Sequence, residues 1–245
     1  MIYCIFAQKY EIKRYKLKNM FIVIEGLDGA GKSTQIMLMQ EHFQQQGINC
    51  RFLHFPRFDS PVYGELIARF LRGEFGNANE VNPSLVALLY AGDRHNAANM
   101  INGWLNDGNA VLVDRYVYSN IAYQCAKLLD KSEQEKLCSW ILDMEYNYFG
   151  IPRPDMSIFL DVPFSFVKNK LSETRDGDDR SYLQGKKDIH EADFDLQRRV
   201  RMIYLEQAVI DNSFKIVNCV DANETMLAPN AIFDRIKNLI SENFS

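Results

Sequence analysis

This chain has no apolar run long enough to cross a bilayer, no Cys-x-x-Cys pair, no internal repeat and no long low-complexity linker. Its hydrophobic stretches fall well short of the roughly 20 residues that a transmembrane helix needs. The five cysteines, Cys4, Cys50, Cys125, Cys138 and Cys219, are scattered and odd in number. That pattern argues against a disulfide framework or a zinc site, and it suits a reducing, cytoplasmic setting. Charge of one sign is also scarce in excess, since 28 Lys and Arg against 32 Asp and Glu leave a net charge of −4. No general pull toward nucleic acid or membrane follows from that balance. A polyanionic substrate must therefore be met by a local basic cluster.

What is present includes one stretch with a direct chemical reading, Gly26, Leu27, Asp28, Gly29, Ala30, Gly31, Lys32 and Ser33, followed by Thr34. A glycine, four free positions and Gly-Lys-Ser form a phosphate-binding loop when a strand precedes and a helix follows. Both flanks are there. Phe21-Ile-Val-Ile-Glu25 is apolar and β-branched, and Thr34 to Gln46 has a helical composition. The glycines let successive backbone N–H groups turn toward an anion, and the helix N-terminus reinforces them. In such a loop the lysine, here Lys32, reaches the β- and γ-phosphates, and the hydroxyl of Ser33 sits on Mg²⁺. The chain thus handles a nucleoside triphosphate such as ATP.

Strand-like runs recur at Phe21–Glu25, Arg51–Phe55, Ala110–Asp114, Asp155–Asp161 and Phe214–Asn218. Helical spacing fills Pro83–Asn106, Asn120–Leu129, Glu133–Tyr148, Ser165–Leu171, Phe194–Asp211 and Asn230–Glu242. Strands alternating with helices predict an α/β fold of three layers, a central parallel five-stranded sheet flanked by helices, of the P-loop NTPase type. One domain over residues 20–245 is the simplest reading. Residues 1–19 differ in character: Lys9, Lys13, Arg14, Lys16 and Lys18 face one acid, Glu11, and Met20 abuts the first strand. The apolar start precedes the basic residues, the reverse of a secretory signal, and no serine suggests a transit peptide. A non-essential extension is the reading favoured here.

Further candidates gather at strand ends. Asp114 ends a buried run, and a carboxylate there helps hold Mg²⁺ in phosphate-loop proteins, while Arg115 beside it can fork onto phosphate. A simple Asp114–Arg115 salt bridge is the alternative, but the neighbouring loop favours ligand binding. Phe55 and Arg57 follow the second strand, where open α/β sheets place ligands. Tyr90 and Arg94 are four apart on one helix face and could stack on a base and bond its edge. On spacing alone, a surface arginine packed on tyrosine is the simpler account. Tyr116, Tyr118, Ser119, Tyr123 and Gln124 form a polar-aromatic cluster after Asp114, for which core packing competes. The charged, glycine-containing segment at about 172–187 holds Arg175, Arg180, Lys186 and Lys187. It reads equally as a lid closing over a triphosphate and as a solvated loop of mixed charge.

Together these residues resemble thymidylate kinase, a P-loop nucleoside monophosphate kinase family. The carriers are Glu25 through Thr34, Phe55-Pro-Arg57, Arg94 in its helix, Asp114-Arg-Tyr116, and Arg153-Pro-Asp155 before Phe159-Leu-Asp161. The resemblance runs from Met20 to the C-terminus. It implies transfer of the ATP γ-phosphoryl to dTMP, giving ADP and dTDP, with Mg²⁺ held through Ser33 and Asp114. It implies that Asp28 contacts the acceptor 3′-hydroxyl, that Arg57 and Arg115 hold phosphate, and that Tyr90 stacks on thymine while Arg94 bonds its O4. Ser119 and Gln124 fall where base-contacting residues sit, and Tyr123 where a tyrosine lies beneath the deoxyribose. Some members carry a basic residue in the loop beside the aspartate. Gly29 stands there in this chain, which points to Arg175 or Arg180 of the lid as the catalytic arginine. A homodimer through helices on one side of the sheet is also implied. The rival readings are a deoxynucleoside kinase, which needs a base for a 5′-hydroxyl, and a nucleotide-binding module with no acceptor, which has no use for the Tyr90 and Tyr116–Gln124 lining.

Overall fold

The computed structural model of the protein describes residues 19–77, 80–172, 178–184, 188, 190 and 193–244. Five strands, β1 (Phe21–Gly26), β2 (Cys50–His54), β3 (Ala110–Asp114), β4 (Met156–Asp161) and β5 (Phe214–Asn218), form one sheet in the order β2-β3-β1-β4-β5. Every pairing is parallel. The sequence dictates this arrangement through its apolar runs. β1 and β3 are buried along their whole length, as continuous Val, Ile and Leu runs must be when both sheet faces are covered. β2 at one edge leaves Arg51, Phe52 and His54 exposed.

The helices are α1 (Lys32–Gln45), α2 (Tyr63–Leu71), α3 (Pro83–Asn106), α4 (Val117–Cys125), α5 (Lys131–Leu142), α6 (Phe164–Ser172), α7 (Phe194–Ile210) and α8 (Pro229–Asn243). α1 packs on α8, while α3, α5 and α7 each pack against α4. α3 starts where the sequence predicts, because Pro83 occupies its first turn and the Asn82 side chain accepts from Ser84 N. Two predicted spans shift. The helix expected at 120–129 is α4, which begins at Val117 and ends at Cys125, and the Asp130 carboxylate then caps α5 by accepting from Glu133 N. Apolar periodicity runs across that junction, so it cannot report the break. The helix expected at 133–148 ends at Leu142 and continues as a π-helical turn over Asp143–Tyr148.

α2 lies in a segment given no element from sequence. Its Ile67, Phe70 and Leu71 pack with Val86 in a small second core, beside Phe58, Tyr63, Tyr90 and Tyr182. The i, i+3, i+4 spacing of 67, 70 and 71 was the available signal. A close approach holds α2 on α3: a Cβ at Gly92 would stand 2.2 Å from the Tyr63 ring. Only glycine admits that ring against the helix.

The sheet order aligns the carboxyl ends of three strands. In register, Asp114 of β3 lies opposite Ile24 of β1 on one side and His54 of β2 on the other. The chain leaves β1 toward one edge and leaves β3 toward the other, which opens a crevice between them where doubly wound sheets bind ligands.

Candidate active site

The phosphate loop sits at the carboxyl end of β1. Gly29 and Gly31 have φ of 78° and 82°, left-handed values that a side chain resists. α1 then starts at Lys32 with no side-chain hydrogen bond from its N-cap, so its first N–H donors and the positive end of the helix are suited to an anion. Lys32 Nζ folds back to donate to Leu27 O at 3.1 Å and Gly26 O at 3.4 Å. Burial lowers the Lys32 pKa, Arg115 lowers it further, and the carboxylates of Asp114, Asp28 and Glu25 oppose both.

Arg115 stands at the centre of the site, with a backbone φ of 67°. That conformation is uncommon for a residue with a side chain, and surrounding structure must enforce it. Arg115 Nη2 donates to Asp28 Oδ1 at 2.6 Å, and Nη1 to Ser119 Oγ at 3.2 Å. The simple Asp114–Arg115 bridge weighed from sequence is therefore not what forms. Asp28 also accepts from Tyr123 Oη at 2.6 Å and Gln197 Nε2 at 3.0 Å. Burial pushes the Asp28 carboxyl up, but Arg115, Lys32 and these two hydrogen bonds outweigh it and hold the group well below the usual carboxylate range.

Asp114 is buried, its Oδ2 lies 3.2 Å from His54 Nδ1, and its Oδ1 has no hydrogen-bond partner among the described residues. Burial raises its pKa, yet Lys32, His54 and Arg115 leave it lowered overall. The group is thus an anion with one free buried oxygen, next to the loop that carries Ser33.

Phe55, Arg57, Tyr90, Arg94, Ser119, Tyr123 and Gln124 line one cleft of about 1080 Å³ together with Asp28, Gly29, Lys32, Ser33, Asp114 and Arg115. Gly26, Leu27, Ala30, Gly31 and Thr34 form the loop and the start of α1 around Lys32. Arg57 is clamped on α3: its N and Nε donate to Asp93 at 2.8 and 3.0 Å, and its Nη2 to Asn96 Oδ1 at 2.9 Å. Arg94 departs from the surface arginine that spacing alone suggested. It is 1% exposed and held by Glu145 of the π-helical turn, Nε to Oε2 at 2.5 Å and Nη2 to Oε1 at 2.6 Å. Ser119 lines the cleft, but its hydroxyl donates to Glu25 Oε2 at 2.5 Å.

Several site residues were given no role in the site from the sequence. Glu25, next to last in β1, accepts from Tyr116 N, Ser119 N and Tyr204 Oη, at 3.0, 3.2 and 3.1 Å. Burial raises its pKa, chiefly against the hydrogen bond from Ser119. Asn120 and His190 also line the cleft. The imidazole of His190 sits 5.1 Å from the Tyr123 ring, and burial keeps its pKa well below the ordinary value. Only a charged residue closing an apolar strand, Glu25, offered a usable signal. The others are ordinary residues made relevant by the fold.

Of the predicted lid, Arg175, Lys186 and Lys187 lie outside the described residues, and Arg180 falls in a 3-10 turn over Asp178–Leu183. That turn is not merely solvated. Leu183 is buried, and the Tyr182 ring stacks on Phe58 at 3.8 Å. Arg72, which caps the C-terminus of α2, donates to Tyr182 O at 2.8 Å, so the end of α2 anchors the turn beside the cleft.

Comparison with known proteins returns one answer. A family model described as thymidylate kinase matches residues 24–227. A probable thymidylate kinase of Thermococcus kodakarensis is 35% identical over 228 residues, spanning 91% of this chain and 100% of that protein. The thymidylate kinase of Mycobacterium tuberculosis is 34% identical over 190 residues, spanning 77% of this chain and 86% of that one. Among solved structures, a thymidylate kinase from Candida albicans matches with a TM-score of 0.68 and 23% identity, over 93% of this chain and 94% of that chain. At that identity the last likeness speaks for the fold.

Proposed function

The chain belongs to the thymidylate kinase family, which makes ADP and dTDP from ATP and dTMP, and we propose that the cleft between β1 and β3 is where it performs that transfer. One observation supports this reading above the rest: the phosphate loop, Asp28, Asp114, Arg115, Arg57, Tyr90 and Arg94 all meet at one cavity. Lys32 and the loop N–H groups take the donor phosphates. Arg57, aimed by Asp93, and Arg115, aimed by Asp28 and Ser119, take the acceptor phosphate. Tyr90 stacks on thymine, Arg94 bonds its O4, Gln124 lies along the base, and Tyr123 lies under the sugar while Asp28 meets the 3′-hydroxyl. The acceptor is already an anionic phosphate, so no general base is required. Catalysis is alignment plus neutralisation of charge on the moving phosphoryl group. Gly29 leaves the loop without a basic side chain beside Asp28 to add to Lys32, and Arg175 or Arg180 of the lid supplies that second cation.

The residues present fit a magnesium ion. The free Oδ1 of Asp114 is a buried anionic oxygen, the donor type this hard cation takes. Ser33 and Asp114 would hold it together with substrate phosphates, and when bound it neutralises phosphate charge. We further propose that residues 20–245 are the single working domain and that 1–19 is dispensable. Met20 is buried, and its carbonyl accepts from Val111 N at 2.7 Å. A chain starting at Met20 should match the full chain in melting temperature and turnover, and loss of either would show that the extension packs or acts. A homodimer is supported by Leu85 and Leu88, exposed apolar side chains one turn apart on α3. Among the described residues no helix is long and apolar enough to cross a membrane. Cytoplasmic residence fits the unbridged Cys50, Cys125, Cys138 and Cys219.

Acceptor selectivity tests the site. Coupled ADP release should be strong with dTMP and near background with thymidine or no acceptor. Arg94 offers only donors, so it satisfies thymine O4 but opposes the cytosine amino group, an unpaired arrangement costing about 1–3 kcal/mol. Tyr123 under the sugar crowds a ribose 2′-hydroxyl. By kcat/KM, dTMP should lead dCMP and UMP, with dUMP between. Equal use of dCMP by the unmutated enzyme would rule out this base site. Arg94→Ala should erase most of the dTMP preference. It also strips Glu145 of its cation, so the ratio of acceptors is the readout and not the absolute rate.

A further inference from the structure

Arg94 and Asn120 share one partner. Glu145, fully buried on the π-helical turn, accepts from Arg94 Nε at 2.5 Å, Arg94 Nη2 at 2.6 Å and Asn120 Nδ2 at 2.9 Å. The second hydrogen of Asn120 Nδ2 goes to Ala87 O of α3 at 3.0 Å. Both amide donors are therefore used, and Asn120 Oδ1 is left buried with no partner among the described residues. Rotating the amide by half a turn would set its oxygen against a carboxylate and a carbonyl, acceptor facing acceptor. The network thus fixes which end of this amide is which. Arg94 is fixed in the same way. Its Nε and Nη2 edge is spent on Glu145, while Nη1 has no hydrogen-bond partner among the described residues, and both Arg94 and Asn120 line the cleft.

We infer that Glu145 is a positioning residue for the acceptor base: it makes the cleft present the Nη1 donor of Arg94 and the Oδ1 acceptor of Asn120. Thymine offers O4 as an acceptor and N3–H as a donor, which complements that pair. Cytosine offers the reverse, an amino donor and a bare N3 acceptor, and meets like against like at both positions. Selectivity then resides in a residue that does not touch the substrate. A neutral glutamine at 145 has a single acceptor oxygen and an added amide N–H₂, so it cannot serve three donors. Its N–H₂ favours the flipped Asn120, which turns Nδ2 toward the cleft and suits cytosine. A buried ion pair with no such duty is replaceable as far as recognition goes.

The inference rests on the base site proposed above, and the test separates the two. Steady-state kcat/KM is measured for dTMP and dCMP on the full chain, on Glu145→Gln, on Glu145→Asp and on Arg94→Ala, with melting temperatures alongside. 3-Methyl-dTMP, which lacks the N3–H donor, is measured on the unmutated enzyme and on Glu145→Gln. The dTMP to dCMP ratio should fall at least tenfold in Glu145→Gln and less in Glu145→Asp, which keeps the charge but draws it back by a methylene. The unmutated enzyme should use 3-methyl-dTMP at least tenfold less well than dTMP, and Glu145→Gln should narrow that gap. A folded Glu145→Gln protein that keeps the parental ratio, while Arg94→Ala loses it, makes Glu145 a mere counter-ion and overturns the inference. If Arg94→Ala also keeps the ratio, the base site itself is wrong. Should neither Glu145 variant fold, equal use of 3-methyl-dTMP and dTMP by the unmutated enzyme overturns the inference, and a tenfold preference for dTMP upholds it.

Discussion

Lys32→Met should fold as the parent does and lose more than tenfold in kcat, at least ~1.4 kcal/mol of transition-state stabilisation. Methionine keeps the buried stem of this side chain and removes only the ammonium. Among the described residues that ammonium hydrogen-bonds only within its own loop, to the carbonyls of Leu27 and Gly26. Its electrostatic surroundings are the ones a phosphate ligand needs. The carboxylates of Asp114, Asp28 and Glu25 all favour its charged form. Loss of the cation leaves two of them facing the triphosphate with one positive group fewer, so chemistry suffers more than folding. The checking pair of measurements is single-turnover rate and thermal melt. A folded Lys32→Met protein with near-normal turnover would sink the assignment of this loop.

Arg115→Ala is expected to damage both stability and activity. The guanidinium sits between Asp28 and Ser119, with the Tyr123 ring 5.3 Å from its carbon. Removing one partner of a buried pair strands the other, at about 3–5 kcal/mol. The low end applies here, because Lys32, Tyr123 and Gln197 still support Asp28. With Arg115 in the phosphate-binding role proposed above, losing this preorganised donor should cost about 10²–10³ in kcat, the usual magnitude for such groups.

The pH dependence gives a second readout. Asp28 is held below its ordinary value, so it contributes stability above about pH 4 that is lost as the pH falls toward its lowered folded pKa. Without Arg115, burial regains weight and that contribution shrinks. The stability gap between parent and variant should therefore be widest near neutrality, start to narrow below about pH 4 and close only as the pH falls toward the lowered Asp28 pKa of the parent. A gap that is constant with pH would mean that Asp28 does not depend on Arg115.

The same pair of residues marks how far sequence reasoning reached. Asp28 and Arg115 were each recognisable from a neighbouring motif, one in the phosphate loop and one behind a strand-ending aspartate. That they bond each other is invisible in a chain where they are 87 residues apart. Arg57 shows the same limit, because its register was read from a strand end while its aim is set by Asp93 on another helix. Arg94 shows the opposite error. Helix spacing offered a surface arginine, and the fold buried it because a π-helical turn brings Glu145 to meet it.

The sequence by itself determined the sheet and the loop. Short β-branched runs alternating with helical segments favour buried parallel strands, and glycines at 29 and 31 with Lys32 and Ser33 carry a phosphate loop in their backbone preferences. These are local properties, written in consecutive residues. Only tertiary structure decided which charges neutralise which, because burial and partnership are long-range. It packed α2 on α3, set Glu25 beneath Tyr116 and Ser119, and gave Glu145 to Arg94 and Asn120. A glutamate in a helical stretch reads as solvated until the chain folds around it, and the cost of burying its charge then requires cationic and amide partners.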